Sequence, residues 1–168
     1  MLALAVTVVL WTMPARAGSP VDLLAAAKPV AGTAAHDQLL AGKPVIVAFF
    51  ASWCPPCVHE FAALNEVRVR YGADKVAIVA VNAFETWGGN KHPSRMARFV
   101  ARTMPTFPLV LGSDEILRGF GNVARIPTLV IYDKSGREAW RFVHEVDAVK
   151  RSATAREILS ELERLDPD

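Results

Sequence analysis

Val45-Ile46-Val47-Ala48-Phe49-Phe50-Ala51-Ser52-Trp53-Cys54-Pro55-Pro56-Cys57 is the stretch from which the fold can be read. Its first seven residues are an unbroken run of β-branched, aromatic and small apolar side chains, the pattern of a strand buried on both faces. After Cys57 the period changes: Phe61, Leu64 and Val67 recur at helical spacing among polar residues as far as Tyr71-Gly72. The two cysteines therefore sit where a buried strand gives way to a helix. The first backbone N–H groups of a helix have no intrahelical partner, and the helix dipole adds partial positive charge there. Both favour a thiolate at Cys54 over a thiol with the free value of about 8.5, and the thiolate is the species that attacks a disulfide. At roughly 100° per residue, Cys57 returns to within about 60° of the same side of the helix, close enough to bridge. Pro55 and Pro56 lack N–H donors and are tolerated at a helix start, where they stiffen the pair.

Working outward, Lys75 to Val81 is a second apolar strand, and Phe84 to Asn90 is a loop containing Gly88-Gly89. Pro93 to Thr103 reads as a helix with Met96, Phe99 and Val100 on one side, and Phe107 to Leu111 as a short strand. Ser113 precedes a short capped helix ending at Gly121. Pro127 to Tyr132 is a fourth strand, joined through the turn Asp133-Lys134-Ser135-Gly136 to Arg137–Val143. Thr154 to Leu165 closes the chain as an amphipathic helix. The order βαβ, then ββα, predicts an α/β fold. It has a mixed central sheet with helices on both faces, and a helical insert after the second core strand.

The remainder of the chain is less regular. Leu2 to Met13 is apolar apart from Thr7 and Thr12, and Ala15-Arg16-Ala17 follows. That is the pattern of a secretory signal peptide at residues 1–17 with cleavage after Ala17, although no Lys or Arg precedes Leu2; retention as a short anchor and a buried N-terminal helix are the other readings. Residues 18–35 are a lead-in rich in Ala, Gly and Pro with at most a short helix, and His36 to Leu40 offers one helical turn before Gly42-Lys43-Pro44. The domain is accordingly placed at residues 36–168. Export puts the protein where disulfides form and exchange.

Composition narrows the function. With 168 residues, 52% hydrophobic and 21% charged, the chain is long enough for one packed core. A formal charge of +2, with no basic stripe, is not the footprint of a nucleic-acid binder. Two cysteines cannot build a disulfide scaffold or a four-thiolate zinc site. A half zinc site would need further ligands, and His36, His59, His92 and His144 supply no H-x3-5-H pair. A purely structural bridge across so short a loop would add little stability. Redox exchange is the reading that the residues favour.

Trp53-Cys54-Pro55-Pro56-Cys57 after VIVAFFAS, with Arg125-Ile126-Pro127-Thr128 about seventy residues later, resembles the thioredoxin fold. Gly42-Lys43-Pro44, the insert after AVNAFE and Phe107-Pro108-Leu109-Val110-Leu111 extend the resemblance to the exported TlpA/ResA-like thiol:disulfide oxidoreductases, from about His36 to the end. The resemblance implies that Cys54 is the nucleophile and Cys57 the resolving thiol. It also implies that Pro127 is a cis-proline opposite the pair, presenting backbone to an extended substrate. Trp53, Pro55, Pro56 and Ile126 become the substrate-contact surface. Thioredoxins carry a buried Asp on the first strand where this chain has Ala48, so the resolving thiol needs another proton partner. Glu60 matches an acidic position of the TlpA/ResA-like branch and is expected to act as a proton relay, the alternative being a solvated helix glutamate. Glu85 falls where that branch often has an acid near its site, and His59 is expected to be exposed.

The function expected from the resemblance is reduction of disulfides in envelope proteins, such as cytochrome c maturation clients. The partners are protein substrates bearing disulfides or thiols and a membrane thiol electron donor. The expected protein is a monomer in the periplasm or otherwise exported, with no metal and no cofactor beyond the Cys54–Cys57 pair. The same chemistry run as a thiol oxidase or isomerase is one alternative. A copper(I)-binding chaperone on the same scaffold is another, since thiolates suit that soft ion.

Overall fold

A computed structural model of the chain describes residues 19–31, 35, 39, 42–87, 92 and 94–165. The signal peptide read at 1–17, nearly all of the turn at His36–Leu40, and Gly88-Gly89-Asn90 lie outside the described residues. In chain order the elements are α1 (Asp22–Ala25), β1 (Pro29–Ala31), β2 (Val45–Phe50), α2 (Pro55–Lys75), β3 (Ala77–Asn82), α3 (Ser94–Thr103), β4 (Leu109–Leu111), α4 (Asp114–Gly119), β5 (Thr128–Tyr132), β6 (Glu138–Val143) and α5 (Ala155–Leu165). The strands form one mixed sheet of order β1-β4-β3-β2-β5-β6. β2, β3 and β4 run parallel, while β1, β5 and β6 pair antiparallel to their neighbours.

Every residue of β2, β3 and β5 is buried, as their continuous apolar runs require. Successive side chains of a strand point to opposite faces, and Phe49 and Phe50 divide the core accordingly. Phe50 packs on Phe61 of α2 (ring centroids 4.8 Å apart) and stacks with Phe99 of α3 at 5.1 Å. Phe49 meets Phe120, just beyond α4, edge-on at 5.3 Å on the other face. Helices α2, α3 and α5 thus share one face, with α2 touching both of the others, and α4 covers the opposite face together with α1. Among the described residues no helix is long and apolar enough to cross a membrane.

The structure departs from the sequence reading at the lead-in. Val21 and Leu24 are buried, α1 packs on α4, and β1 adds an edge strand against β4. A three-residue strand opening on proline carries no alternation to detect, and proline is tolerated there because its missing N–H falls at an edge. The third core strand begins at Leu109 rather than Phe107. Helix α2 runs on to Lys75 past a break at Gly72, whose φ of 73° only glycine adopts freely. The buried Arg68 guanidinium bridges this break, donating to the carbonyls of Gly72 and Val76 at 3.0 Å each.

Phe61 is fully buried and touches Phe50, Phe99 and Phe107. Phe61→Ala is expected to cost about 3–5 kcal/mol in a urea titration, the range for truncating a buried aromatic. A loss below about 1 kcal/mol would mean that these rings do not act as one packed unit.

Candidate active site

The buried strand β2 ends at Phe50, and Cys54 follows as the N-cap of α2. Its N–H donates to the Ala51 carbonyl at 3.1 Å, closing the turn, and its sulfur accepts from the Cys57 N–H at 3.3 Å. Pro55 and Pro56 occupy the first helical positions, where no donor is lost. Cys54 and Cys57 are joined as a disulfide with Cα atoms 5.4 Å apart. Their surroundings differ: Cys57 is wholly buried, whereas Cys54, at 3% exposure, lines a groove of about 380 Å³. Trp53, Pro55, Pro56 and Ile126, the expected contact residues, line the same groove. The Ile126–Pro127 peptide is cis, as the resemblance implied. Pro127 is buried, its carbonyl accepts from the His144 N–H at 3.0 Å, and Thr128 Oγ1 donates to the Arg125 carbonyl at 2.9 Å, which holds the turn.

Glu60 is not a solvated helix residue: its exposure is zero. It lies one turn beyond Cys57 on α2. One carboxyl oxygen accepts a long hydrogen bond from the Ala153 N–H at 3.4 Å, and the other has no partner among the described residues. Burial raises its pKa from 4.5 to about 8, against the opposing pull of the Ala153 N–H and the Lys150 ammonium. Ala153 is brought there by α5. Thr154 and Glu157 form a reciprocal cap at the start of that helix, with Thr154 N–H donating to Glu157 at 3.0 Å and Glu157 N–H to Thr154 at 3.4 Å. Lys150 ion-pairs with Glu157 and lies 4.8 Å from the Phe142 ring centroid.

A second carboxylate flanks the pair in the opposite circumstance. Glu85 accepts from the Ser52 N–H at 2.9 Å, from the Ser52 hydroxyl and from Asn82 Nδ2 at 2.8 Å. Burial alone would raise its pKa; the donors from Ser52 and Asn82, with Arg95 nearby, reverse this and hold it below the usual carboxylate value. The loop it ties down also supplies the Phe84 carbonyl that accepts Trp53 Nε1–H at 3.0 Å. Gly112 packs beneath this corner, where a Cβ would come within 2.9 Å of the Asn82 carbonyl oxygen. His59 is exposed as expected.

Arg125, quoted above as part of the Ile126–Pro127 motif, also lines the groove; Trp87, Ala124, His144 and Val146 complete it and were not assigned to the site by sequence reasoning. One signal was available for Trp87: a large aromatic in a loop just before Gly88-Gly89. For His144 and Val146, just past a strand end, the chain pattern carries none.

A cysteine pair at a strand–helix junction of a mixed sheet, closed as a disulfide and facing a cis-proline turn, defines a thioredoxin-like dithiol–disulfide centre. The chain belongs to the Redoxin family, whose pattern matches residues 15–159. It is 34% identical over 97 residues to the thiol-disulfide oxidoreductase ResA of Geobacillus thermodenitrificans, covering 57% of this chain and 52% of that protein. It is 33% identical over 109 residues to the thioredoxin-like protein YneN of Bacillus subtilis, covering 65% and 61% respectively. The chain thus spans between half and two thirds of the length of these relatives. In fold it resembles a secreted disulfide oxidoreductase of Mycobacterium tuberculosis homologous to E. coli DsbE. The TM-score is 0.64 at 22% identity, over 83% of this chain and 94% of that one.

The buried acid leaves a mark on stability. Between pH 4.5 and about 8 the unfolded chain has released the Glu60 proton while the folded protein keeps it. Stability from this group is therefore greatest at low pH and falls as pH rises through that window, by roughly a few kcal/mol in all. Urea titrations of the oxidised protein at about pH 5 and about pH 8.5 are expected to show this loss in the wild type and its removal in Glu60→Gln. Equal pH slopes in the two proteins would mean that Glu60 ionises freely in the folded state.

Proposed function

We propose that this chain is an exported thiol:disulfide oxidoreductase that reduces disulfides in other envelope proteins, with cytochrome c maturation proteins as the model clients. The observation that carries this reading is the asymmetry of the pair: Cys54 opens on a groove and Cys57 is sealed behind it. In the forward reaction the Cys54 thiolate attacks a client disulfide, forming a mixed disulfide and expelling one client thiolate. Cys57 then attacks the Cys54 sulfur and releases the second client thiol. The client gains two electrons and two protons, and Cys54–Cys57 becomes a disulfide. A membrane-held dithiol returns the two electrons.

Pro127 and Ile126 receive the client backbone, and Trp53, Pro55 and Pro56 pack beside it. Glu60 manages the proton of Cys57. A group that is still largely protonated near neutral pH, one helical turn from the resolving sulfur, can pass a proton on as the mixed disulfide resolves. The roles of the cysteines separate by trapping. Cys57→Ala is expected to accumulate mixed disulfides with clients on non-reducing gels, and Cys54→Ala to accumulate none; equal trapping by both, or by neither, overturns the assignment.

Direction is a matter of potential. A reduced pair that kept Cys57 as a stabilised thiolate would be a strong oxidant. Here Cys57 is fully buried, one helical turn before the buried Glu60, and burial does not favour a thiolate. Titration of the pair against glutathione is expected to give a potential nearer to thioredoxin's, about −270 mV, than to the about −120 mV of a strong periplasmic oxidant. A value at the oxidising end reverses the proposed direction.

A further inference from the structure

We propose that Trp87 is a specificity-determining residue of this centre, selecting client segments that carry a bulky apolar side chain beside the reacting cysteine. The proposal rests on the exchange chemistry proposed above and adds the class of substrate that it prefers.

Trp87 is 69% exposed, yet it is held in place. Its ring lies 5.8 Å from that of Trp53 and 6.3 Å from that of Phe84. Its N–H donates to the Phe84 carbonyl at 3.0 Å, and the same oxygen accepts Trp53 Nε1–H at 3.0 Å. Phe84 itself takes a left-handed backbone conformation (φ 58°), uncommon for a bulky residue. Glu85, next in the chain, ties the loop to Ser52, two residues before Cys54. A loop closed on itself at Phe84 and tied to Ser52 and Trp53 thus holds a large aromatic ring against the residue that precedes the nucleophile.

The groove beside that ring is continuous with Cys54. Trp53 and Trp87 line it together with Ile126 and Val146, the latter 71% exposed. Arg125, the one Arg or Lys among the described residues that line it, is already engaged by Glu145 in an ion pair. The space of about 380 Å³ lies within the range of small-ligand sites and has room for a large side chain. An occupant that fills it has its own cysteine near Cys54, because Cys54 lines the same space. Apolar walls select a leucine or phenylalanine flank over an acidic one, because Arg125 is engaged by Glu145 and His144 is the one other ionisable side chain besides Cys54 in the described lining to offset the loss of water. A side chain covering much of the exposed Trp87 face removes enough apolar surface to change the rate constant for capture roughly tenfold.

The test uses two short disulfide-linked peptides that differ only in the residue flanking the cysteine, leucine in one and aspartate in the other. Their reduction by the full-length reduced protein is followed at low substrate to obtain kcat/KM. The expected ratio favours leucine by about tenfold in the wild type, falls to within about twofold of unity in Trp87→Ala and is largely kept in Trp87→Phe. A ratio near unity in the wild type, or one that persists in Trp87→Ala, overturns the proposal. Hydroxyethyl disulfide, too small to fill the groove, separates the two levels of the argument. If the wild type fails to reduce it, the exchange chemistry itself falls. If the wild type reduces it and shows no preference between the peptides, Trp87 alone loses its role.

Discussion

The double burial of β2 is the constraint on which the rest depends. The strand is paired on both edges, by β3 and β5, and covered on both faces through Phe49 and Phe50. A segment so enclosed has no freedom to slide, because a one-residue slip would exchange its two faces. Its C-terminal end is therefore a fixed point, and everything reactive is placed relative to it. Cys54 caps α2 within four residues of Phe50, and Phe61, two turns into α2, returns to pack on Phe50 itself. The helix is anchored to the strand that feeds it, so the cysteine pair is positioned by the core rather than by the loop that carries it.

From that fixed point two carboxyl groups are set in opposite electrostatic conditions. Glu85 accepts three hydrogen bonds from Ser52 and Asn82 and stays ionised; Glu60 has one long bond and an unpartnered oxygen, and stays protonated to about pH 8. The difference lies in the donors supplied, since burial acts upward on both. Their parts in the site differ to match. A charged, fully bonded carboxylate is a structural clamp, and Glu85 holds the loop that carries Phe84 and Trp87. A neutral carboxyl near its transition is a proton store. Environments that drive two acids apart in this way are a recurrent feature of sites that handle protons.

Sequence alone went a long way with the core and less far with the site. β2, β3 and β5 were legible because strands buried on both faces must be almost continuously apolar, and turn residues bound each of these runs. β1 was not, because three residues at an edge, starting with Pro29, leave no pattern. The cysteine pair and the cis turn at Pro127 were legible as motifs. The burial of Glu60 was not: a glutamate three residues beyond Cys57 has the same spacing whether it faces water or the sheet. What seals it, the Ala153 N–H, lies 93 residues away and depends on where α5 docks. Trp87 escaped notice for a similar reason, since its contact with Trp53 is made across the turn that Glu85 closes.

The burial of Glu60 also shows where the fold works against its own stability. An acid with one weak partner and an unpartnered oxygen is a net cost to the folded state, and the cost grows as pH rises toward the value at which it ionises. Nothing in the packing of α2 demands an acid there, since apolar side chains already fill the neighbouring positions Phe61, Ala63 and Leu64. An apolar residue at this position would relieve the cost and leave the disulfide intact. It would also remove the carboxyl group nearest to Cys57 along the helix, in a chain whose first core strand offers only Ala48. The aromatic cluster around Phe50 and Phe61 supplies the surplus stability that tolerates such a residue. Core and site are thus linked through a single helix: α2 is held by apolar burial on the sheet side, and that hold lets it carry a poorly solvated acid one turn from the sulfur that closes the cycle.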